Sequence, residues 1–408
     1  MLHLYRCNEC QSYFFDGENP ASSYRDLVIS DEFWIDYVQA GAGITSMLAP
    51  LFAVKTLNKG SLIDVGCGFG FVVHYWQSLG HSALGLEDSY YGNIGEEKLG
   101  VTICRQYLGE YVRENPGREF EIVYSSEVIE HTSDPGAFVQ QLCSLVSEDG
   151  IIILTTPCTN SISEQANHAA LNAALSPGFH YGIISQQAMK SYFSQQGFHC
   201  HFETTDTQMI TWAGKRSLPE VTHGRFDWHS YFTYLGQLAD HPDPHICSGA
   251  LHRLFKDSLN TNHPEIAATA YPRLLEVARK HYGIDLENPE VGEMLKSKKQ
   301  LYRLAQYPSW LGNCLLFGAI HVGHARNDRR TKLRMLDAAL KVLRHRMEVD
   351  AQFGQEAAHY YPFAERQYII GLSEALTVSL NRNMIGEGAA DLHASLSVLK
   401  EVLTELLP

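Results

Sequence analysis

The sequence predicts an α/β fold in its first half, followed by a large and mainly helical C-terminal region. Short apolar runs such as Leu62–Val65 are typical of buried parallel strands, and they alternate with segments of helical periodicity. In the second half, apolar residues recur at three- and four-residue spacing over 333–347 and 392–406, which indicates amphipathic helices. A chain of 408 residues is long enough for two domains, each with its own core.

We expect three regions along the chain. Residues 1–34 form a short hairpin, residues 35–215 an α/β domain, and residues 216–408 a helical domain. Apolar periodicity over 33–51 predicts helices that pack before the first strand. The helical domain would cover the functional site, bind a substrate or form a homodimer.

The composition is that of a globular, soluble protein, with 45% hydrophobic and 19% charged residues. No stretch reaches the roughly 18 to 20 uninterrupted apolar residues of a membrane span, and the first residues lack the regions of a signal peptide. Nine scattered cysteines, an odd number, indicate reduced thiols rather than a disulfide framework. We therefore expect a cytoplasmic protein without a membrane span.

The charge balance argues against a nucleic-acid partner. The formal net charge is −14, whereas nucleic-acid binding depends on clustered lysine and arginine. One basic run, over 326–346, stands out in this acidic chain. It is either a solvated helix face or a docking site for a phosphate or carboxylate of the substrate.

The N-terminal hairpin carries a lone C-x-x-C pair. Cys7 and Cys10 form half of a zinc ribbon, but zinc needs four ligands and only His3 lies nearby as a third. We therefore favour a degenerate structural hairpin over a zinc site.

The most informative segment is the glycine-rich turn after the first strand. Gly66, Gly68 and Gly70 are spaced G-x-G-x-G between Leu62–Val65 and a helix predicted over 71–79. Without a Cβ, a glycine backbone can approach a ligand closely, and a helix N-terminus offers N–H groups to it. The turn therefore predicts a site for a nucleotide-type cofactor.

A second strand, Ala83–Leu86, ends at an acidic residue. Glu87 follows Gly66 by 21 residues, about the spacing at which an acidic side chain meets a ribose diol. The turn lacks the third glycine of the dinucleotide fingerprint, which disfavours a nicotinamide or flavin cofactor. The two strands together predict a cofactor that carries adenosine.

Four segments, in order, resemble the class I S-adenosylmethionine-dependent methyltransferases. The run from Asp64 to Gly70 has the D-x-G-x-G-x-G form of their first motif. Residues 120–131 are similar to their fourth strand and the loop after it, residues 150–157 to their fifth strand, and Gly197-Phe198 to the turn before the sixth. The resemblance covers about residues 35–215.

This resemblance implies a Rossmann-like sheet, S-adenosylmethionine as cofactor and S-adenosylhomocysteine as product. It also implies the residues that would contact the cofactor, which are Asp64, Gly66, Cys67, Gly68, Gly70, Glu87 and Glu127.

The acceptor chemistry is expected between Glu127 and His180. Methyl transfer from a sulfonium mainly requires alignment of acceptor and donor. A hydroxyl acceptor must also lose its proton, which requires either a base or a metal ion that lowers the pKa of the hydroxyl. Glu127, Glu130 and His131 stand at i, i+3 and i+4, positions that share a face on a helical turn.

The E-x-x-E-H run and a later histidine resemble the ubiquinone-pathway O-methyltransferases. That resemblance implies a divalent cation such as Mg²⁺, held by Glu127, Glu130, His131 and His180. Two alternatives stay open. In one, His131 or His180 acts as a general base without a metal, with Glu130 beside it. In the other, these side chains only organise the loop.

The sequence therefore predicts O-methylation of a small-molecule or glycan acceptor in a biosynthetic pathway. Two other functions are kept as alternatives: an RNA 2′-O-methyltransferase, and a scaffold that binds S-adenosylmethionine without turnover. The glycan expectation rests on resemblance, since a fold does not fix a substrate.

Overall fold

The chain folds into two compact units, which we call the α/β unit (Met1–Ser30 and Gly43–Tyr234) and the helical unit (Asp31–Ala42 and Leu235–Pro408). The computed structural model describes residues 3–16, 31–40, 44–54, 60–163, 171, 174–205, 207–216, 218, 226–296, 307–352 and 360–384.

The strands within these described residues are β1 (Leu4–Arg6), β2 (Tyr13–Phe15), β3 (Leu62–Val65), β4 (Ala83–Leu86), β5 (Ile103–Cys104), β6 (Phe120–Ser126), β7 (Val146–Pro157), β8 (Gly182–Ile183), β9 (His199–Thr204) and β10 (Gln208–Gly214). The α-helices are α1 (Asp31–Ala40), α2 (Ile44–Phe52), α3 (Phe71–Ser78), α4 (Tyr90–Leu99), α5 (Leu108–Glu114), α6 (Pro135–Leu145), α7 (Gln186–Gln195), α8 (Trp228–Ala239), α9 (Pro244–Asn260), α10 (Pro264–Tyr282), α11 (Leu311–Arg326), α12 (Arg329–Gln352) and α13 (Tyr361–Met384).

The α/β unit is built on a seven-stranded sheet of order β5-β4-β3-β6-β7-β10-β9. The pairs from β5 to β7 are parallel, whereas β10 runs antiparallel to both of its neighbours. Leu62 of β3 lies opposite Ala83 of β4 and Ile122 of β6, so the carboxyl ends of the three strands meet at one edge. The strand order reverses at β3, and such a switch point is where open α/β sheets bind ligands.

This architecture confirms the predicted fold class. Strand β4 has the predicted bounds, and α3 begins at Phe71, directly after the glycine turn. All four residues of β3 are buried, as a parallel strand covered on both faces requires.

The N-terminal hairpin joins a separate three-stranded sheet of order β1-β2-β8. The N–H of Phe15 donates to the carbonyl of Tyr181, and β2 pairs antiparallel with β8. The hairpin therefore buttresses the segment that follows His180. Nδ1 of His3 lies 3.0 Å from a carboxylate oxygen of Asp16, so this third candidate zinc ligand is engaged outside the cysteine pair.

The division into units differs from the predicted boundaries near residues 35 and 215. The hydroxyl of Tyr234 donates to the carbonyl of Phe71, which places the first half of α8 with the α/β unit. Helix α1 belongs to the helical unit, where Gln39 is completely buried and its side chain contacts His245. Local periodicity predicts such helices but not the partners against which they pack.

The helical unit has its own core, centred on fully buried side chains such as Phe255, Tyr271 and Trp310. The periodicity over 333–347 lies in α12, as predicted, whereas that over 392–406 lies outside the described residues. In the described parts of the chain, we find no helix with the length and apolar character that a bilayer crossing requires.

Candidate active site

The glycine turn adopts a conformation that requires glycine at its three key positions. Gly66, Gly68 and Gly70 have φ values of 75°, 53° and 84°, in the left-handed region that other residues rarely adopt. A Cβ on Gly66 would also overlap the side chain of Val128, which lies in the loop after β6. The turn and the loop after β6 are therefore in direct contact.

The N–H groups of this turn are already used inside the protein. Those of Gly66 and Cys67 donate to the carbonyl of Leu86, and that of Gly70 donates to the carbonyl of Cys67. These three hydrogen bonds therefore fix the shape of the turn. Cys67 is buried, and its Sγ lies where a Cβ on Gly85 would be, so this side chain packs against β4.

Glu87 is fixed at the carboxyl end of β4 by two backbone donors. Its Oε2 accepts the N–H of Gly68 at 2.9 Å, and its Oε1 accepts the N–H of Ser89 at 2.8 Å. A carboxylate oxygen can accept more than one hydrogen bond, so each oxygen retains capacity for a hydroxyl group. The side chain is therefore oriented in advance for a diol.

Asp64 lies at the same edge of the sheet, in β3, and is almost fully buried. Burial, and next the nearby carboxylate of Glu87, hold the pKa of Asp64 well above its usual value. A cationic ligand would stabilise the ionised form of Asp64.

Glu127 terminates β6 in a left-handed conformation, with a φ of 57°. Its Oε1 accepts hydrogen bonds from Oγ1 of Thr155 at 3.1 Å and from Nε2 of Gln208 at 2.9 Å. These partners come from β7 and β10, so three strands hold one carboxylate at the edge of the sheet.

The helical turn that the sequence predicts from Glu127 to His131 is shorter than expected. A single 3₁₀ turn covers only Ile129–His131, because the left-handed backbone at Glu127 ends the strand before the turn begins. Glu130 is therefore directed inwards, with 1% of its surface exposed. Its Oε2 accepts the hydroxyl of Thr156 at 3.0 Å, and its buried Oε1 has no hydrogen-bond partner.

His131 and His180 lie side by side, with ring centroids 4.6 Å apart in an edge-to-face arrangement. Nδ1 of His131 is 3.0 Å from the carbonyl of Phe179, and Nδ1 of His180 is 3.0 Å from the carbonyl of Ala174. A carbonyl can only accept, so Nδ1 carries the proton in each ring. In the neutral form, both histidines therefore present Nε2 as a lone pair.

The surroundings of Glu130, His131 and His180 favour the neutral form of each side chain. Burial, followed by the neighbouring His131, lowers the pKa of His180 to about 4. Burial also lowers the pKa of His131, against the opposing effect of its hydrogen bond to Phe179. Burial, and next the carboxylate of Glu127, raise the pKa of Glu130 well above its usual value. A neutral acid beside two neutral imidazoles results.

Glu130, His131 and His180 form a group that suits a divalent cation. Each offers one ligand atom, and the three atoms lie within 4.8 Å of one another. Glu127, the fourth ligand implied by the resemblance, does not belong to this group. Each Nδ1–H donates a hydrogen bond to a backbone carbonyl, as is usual for metal-bound histidines. The unpartnered Oε1 of Glu130 would be the third ligand atom.

The sequence did not indicate the side chains that orient the two glutamates. Thr155 and Thr156 end β7, and Gln208 begins β10. Two consecutive threonines after an apolar strand were the only signal for their position at the carboxyl edge.

Comparison with known proteins identifies the segment that carries this site. Residues 40–201 match the family model described as a methyltransferase domain. The match contains the glycine turn, Glu87, Glu130 and both histidines. The candidate site therefore lies within the segment that matches a methyltransferase domain.

Among curated proteins, the chain is similar to the ubiquinone biosynthesis O-methyltransferases. It is 33% identical over 99 residues to that of Rhodopseudomonas palustris, which corresponds to 23% of this chain and 39% of the relative. It is 31% identical over 110 residues to that of Bradyrhizobium diazoefficiens, or 25% of this chain and 43% of the relative. The chain thus spans about two fifths of the length of these relatives.

Solved structures of methyltransferases are also similar to part of this chain. An S-adenosylmethionine-dependent methyltransferase from Archaeoglobus fulgidus aligns over 45% of this chain and 99% of its own length, with 16% identity and a TM-score of 0.37.

Proposed function

We propose that this protein is an S-adenosylmethionine-dependent O-methyltransferase that acts on a small-molecule or glycan acceptor in a biosynthetic pathway. The observation that carries the proposal is the pair of imidazoles, His131 and His180, beside the buried carboxyl of Glu130. The names of the similar curated proteins, which specify O-methyl transfer, support oxygen as the methylated atom.

The cofactor would lie along the carboxyl edge of the sheet. Its ribose hydroxyls would donate to Glu87, and the cofactor would lie against the backbone of Gly68. The sulfonium activates the methyl group, so the protein contributes mainly by aligning donor and acceptor. Val128 packs against Gly66, so the loop after β6, which carries Glu130 and His131, is in contact with the glycine turn.

The acceptor hydroxyl must lose its proton during transfer. We assign His131 as the base, because its Nε2 carries the lone pair and its side chain is less buried than that of His180. A pKa of about 4 makes His180 a poor base, so we assign it to orient the acceptor or to ligate a metal. The carboxyl group of Glu130 would lie close to both imidazoles and interact with them electrostatically.

The same three residues would hold a divalent cation if the reaction uses one. Such an ion would lower the pKa of an acceptor hydroxyl bound to it. Two imidazoles and one carboxylate suit zinc, iron or nickel better than magnesium, which prefers oxygen ligands. This ligand set omits Glu127, whose Oε1 already accepts two hydrogen bonds.

The proposed reaction can be tested in the native host. We expect extracts of a strain without the gene to contain a species lighter by one methyl group than its counterpart in the parent. With methyl-labelled ¹³C cofactor, the product carbon should have the NMR shift of an O-methyl group. An N-methyl or C-methyl shift, or no product with any extract, would contradict the proposal.

Chelation separates the two versions of the chemistry. If a cation acts, treatment with EDTA should suppress turnover while S-adenosylhomocysteine still binds, and elemental analysis of the wild type but not of His180→Ala should show a metal. If His131 is a metal-free base, EDTA has no effect and His131→Ala slows turnover by roughly 100- to 10,000-fold. Full turnover by both alanine variants would eliminate both versions.

The basic run over 326–346 does not favour an RNA substrate. Within the described residues, Arg326 pairs with Glu287 at 2.8 Å, and Lys332 pairs with Glu374 at 3.0 Å. Acidic partners reduce the field that a phosphate backbone needs. The expected cytoplasmic location and the homodimer stay predictions.

A further inference from the structure

The helical unit contains a cavity of about 200 Å³. It lies between α1, α9, α11 and α12, and its walls include the stacked rings of His252 and Trp310, whose centroids are 6.2 Å apart. Val342 and Leu343 of α12 supply an apolar wall. All of these residues belong to the helical unit.

Three residues that line this cavity each carry a buried polar side-chain atom without a hydrogen-bond partner. These atoms are Nδ1 of His252, Oγ of Ser309 and Oδ1 of Asn313. His252 is only 4% exposed. Buried polar atoms without partners are rare in folded proteins, and each one costs free energy. Three of them around one cavity are explained if the cavity holds a polar occupant.

The charges of the cavity walls are positive. Lys256 and Arg346 both line the cavity, and no carboxylate is found among the described residues that line it. The nearest acidic partners stand outside the lining: Asp257 lies 3.4 Å from Nζ of Lys256, and Asp36 lies 3.8 Å from Arg346. Two partly buried cations facing one cavity favour an anionic occupant.

We propose that this cavity binds a small hydroxylated anion, with its carboxylate or phosphate toward Lys256 and Arg346. Its hydroxyl groups would pair with His252, Ser309 and Asn313. A hydroxyl can donate to the amide oxygen of Asn313 and can serve the other two atoms in either role. An amine would meet repulsion from the two cations. The volume lies below the 300–1,000 Å³ of drug-sized pockets, so the ligand is small.

The proposal is independent of the proposed methyl transfer, and calorimetry on the full chain tests it. The probes are sn-glycerol 3-phosphate and D-glycerate, with glycerol and inorganic phosphate as controls, at constant ionic strength. We expect at least one of the two hydroxylated anions to bind with a dissociation constant near or below 1 mM, and more tightly than either control. The preferred probe then shows whether the anionic group is a phosphate or a carboxylate.

Matched variants locate the binding. Lys256→Met should weaken binding by roughly 10- to 100-fold, as expected for loss of a charged hydrogen-bond partner. Lys341→Met should leave it unchanged, because Lys341 is exposed and pairs with Asp337 at 2.7 Å. Ser309→Ala, which changes one hydroxyl, should weaken binding by about 2- to 10-fold and keeps the test valid if Lys256→Met does not fold.

The proposal is overturned if neither anion binds at millimolar concentration, because the cavity then holds only water. Binding of inorganic phosphate as tightly as sn-glycerol 3-phosphate would overturn the assignment of the hydroxyl groups. Equal affinities of wild type, Lys256→Met and Ser309→Ala would place the ligand elsewhere.

Discussion

Glu87 shows how one side chain can serve both fold and function. Its two oxygens accept the N–H groups of Gly68 and Ser89, so it shapes the glycine turn as well as offering acceptors to a ribose. Glu87→Ala should weaken binding of S-adenosylhomocysteine by roughly 5- to 150-fold, the equivalent of about 1–3 kcal/mol. Calorimetry measures the change. Glu97→Ala, on the exposed side of α4, is the control, and unchanged affinity in Glu87→Ala would refute the assignment.

His252 predicts how the helical unit responds to acid. Burial, followed by the charges of Lys256 and Arg253, keeps its pKa well below the usual value. As the pH falls below about 6.5, the unfolded chain takes up a proton at this position before the folded chain does. The free energy of unfolding should therefore fall by up to about 1.4 kcal/mol per pH unit from this residue.

The measurement for His252 is urea unfolding at several pH values between 7 and 5. His252→Gln should lose less stability over this range than the wild type, whatever its stability at pH 7. His324→Gln, at an exposed position of α11, should follow the wild type. Parallel curves for wild type and His252→Gln would show that this histidine is not protonated on unfolding.

At the scale of elements, Ser185 joins the N-terminal hairpin to α7. Its Oγ accepts the N–H of Ala188 as the N-cap of α7 and donates to the carbonyl of Cys10, while its own N–H donates to Ser12. Ser185→Ala should reduce the free energy of unfolding by about 1–2 kcal/mol, as loss of a cap usually does. Thermal unfolding checks this.

Ser144→Ala, which removes an exposed hydroxyl from α6, is the matched control for Ser185→Ala. It should change stability by less than about 0.5 kcal/mol. Equal stabilities of the two variants would mean that the hairpin is not held by Ser185.

Elements with strong local signals could be predicted from the sequence, and the others could not. Gly60 and Gly66 delimit β3, and β4 lies between Gly80 and the acidic Glu87, so the bounds of both strands follow from the sequence. A strand of two residues such as β8 has no periodicity, and its pairing with β2 depends on tertiary contacts. At the candidate site, the residue types were predictable. The left-handed backbone of Glu127, which separates it from Glu130, was not.

At the scale of the whole molecule, the contact between α1 and α9 organises the helical unit. A Cβ on Gly249 would overlap the carbonyl of Val38, so the two helices approach each other at a glycine. Gly249→Ala should destabilise the helical unit by about 1–3 kcal/mol through overpacking. Hydrogen exchange of the amides in α9 would report it.

Gly236→Ala in α8 is the control for Gly249→Ala. Apart from its chain neighbours and the backbone of its own helix, no atom lies within 4 Å of a Cβ at that position, so this change should stabilise the helix by about 0.5–1 kcal/mol. Unchanged exchange in Gly249→Ala would show that α1 and α9 are not in tight contact.

The position of α1 in the chain has a consequence for synthesis on the ribosome. About 200 residues separate α1 from α9, the helix against which Gln39 and Val38 pack. At translation rates of about 5–20 residues per second, α9 is synthesised roughly 10 to 40 s after α1. During that interval, the apolar side chains of Trp34 and Val38 have no native surface to cover them. The nascent chain thus exposes this apolar face until α9 has been synthesised and has folded against it.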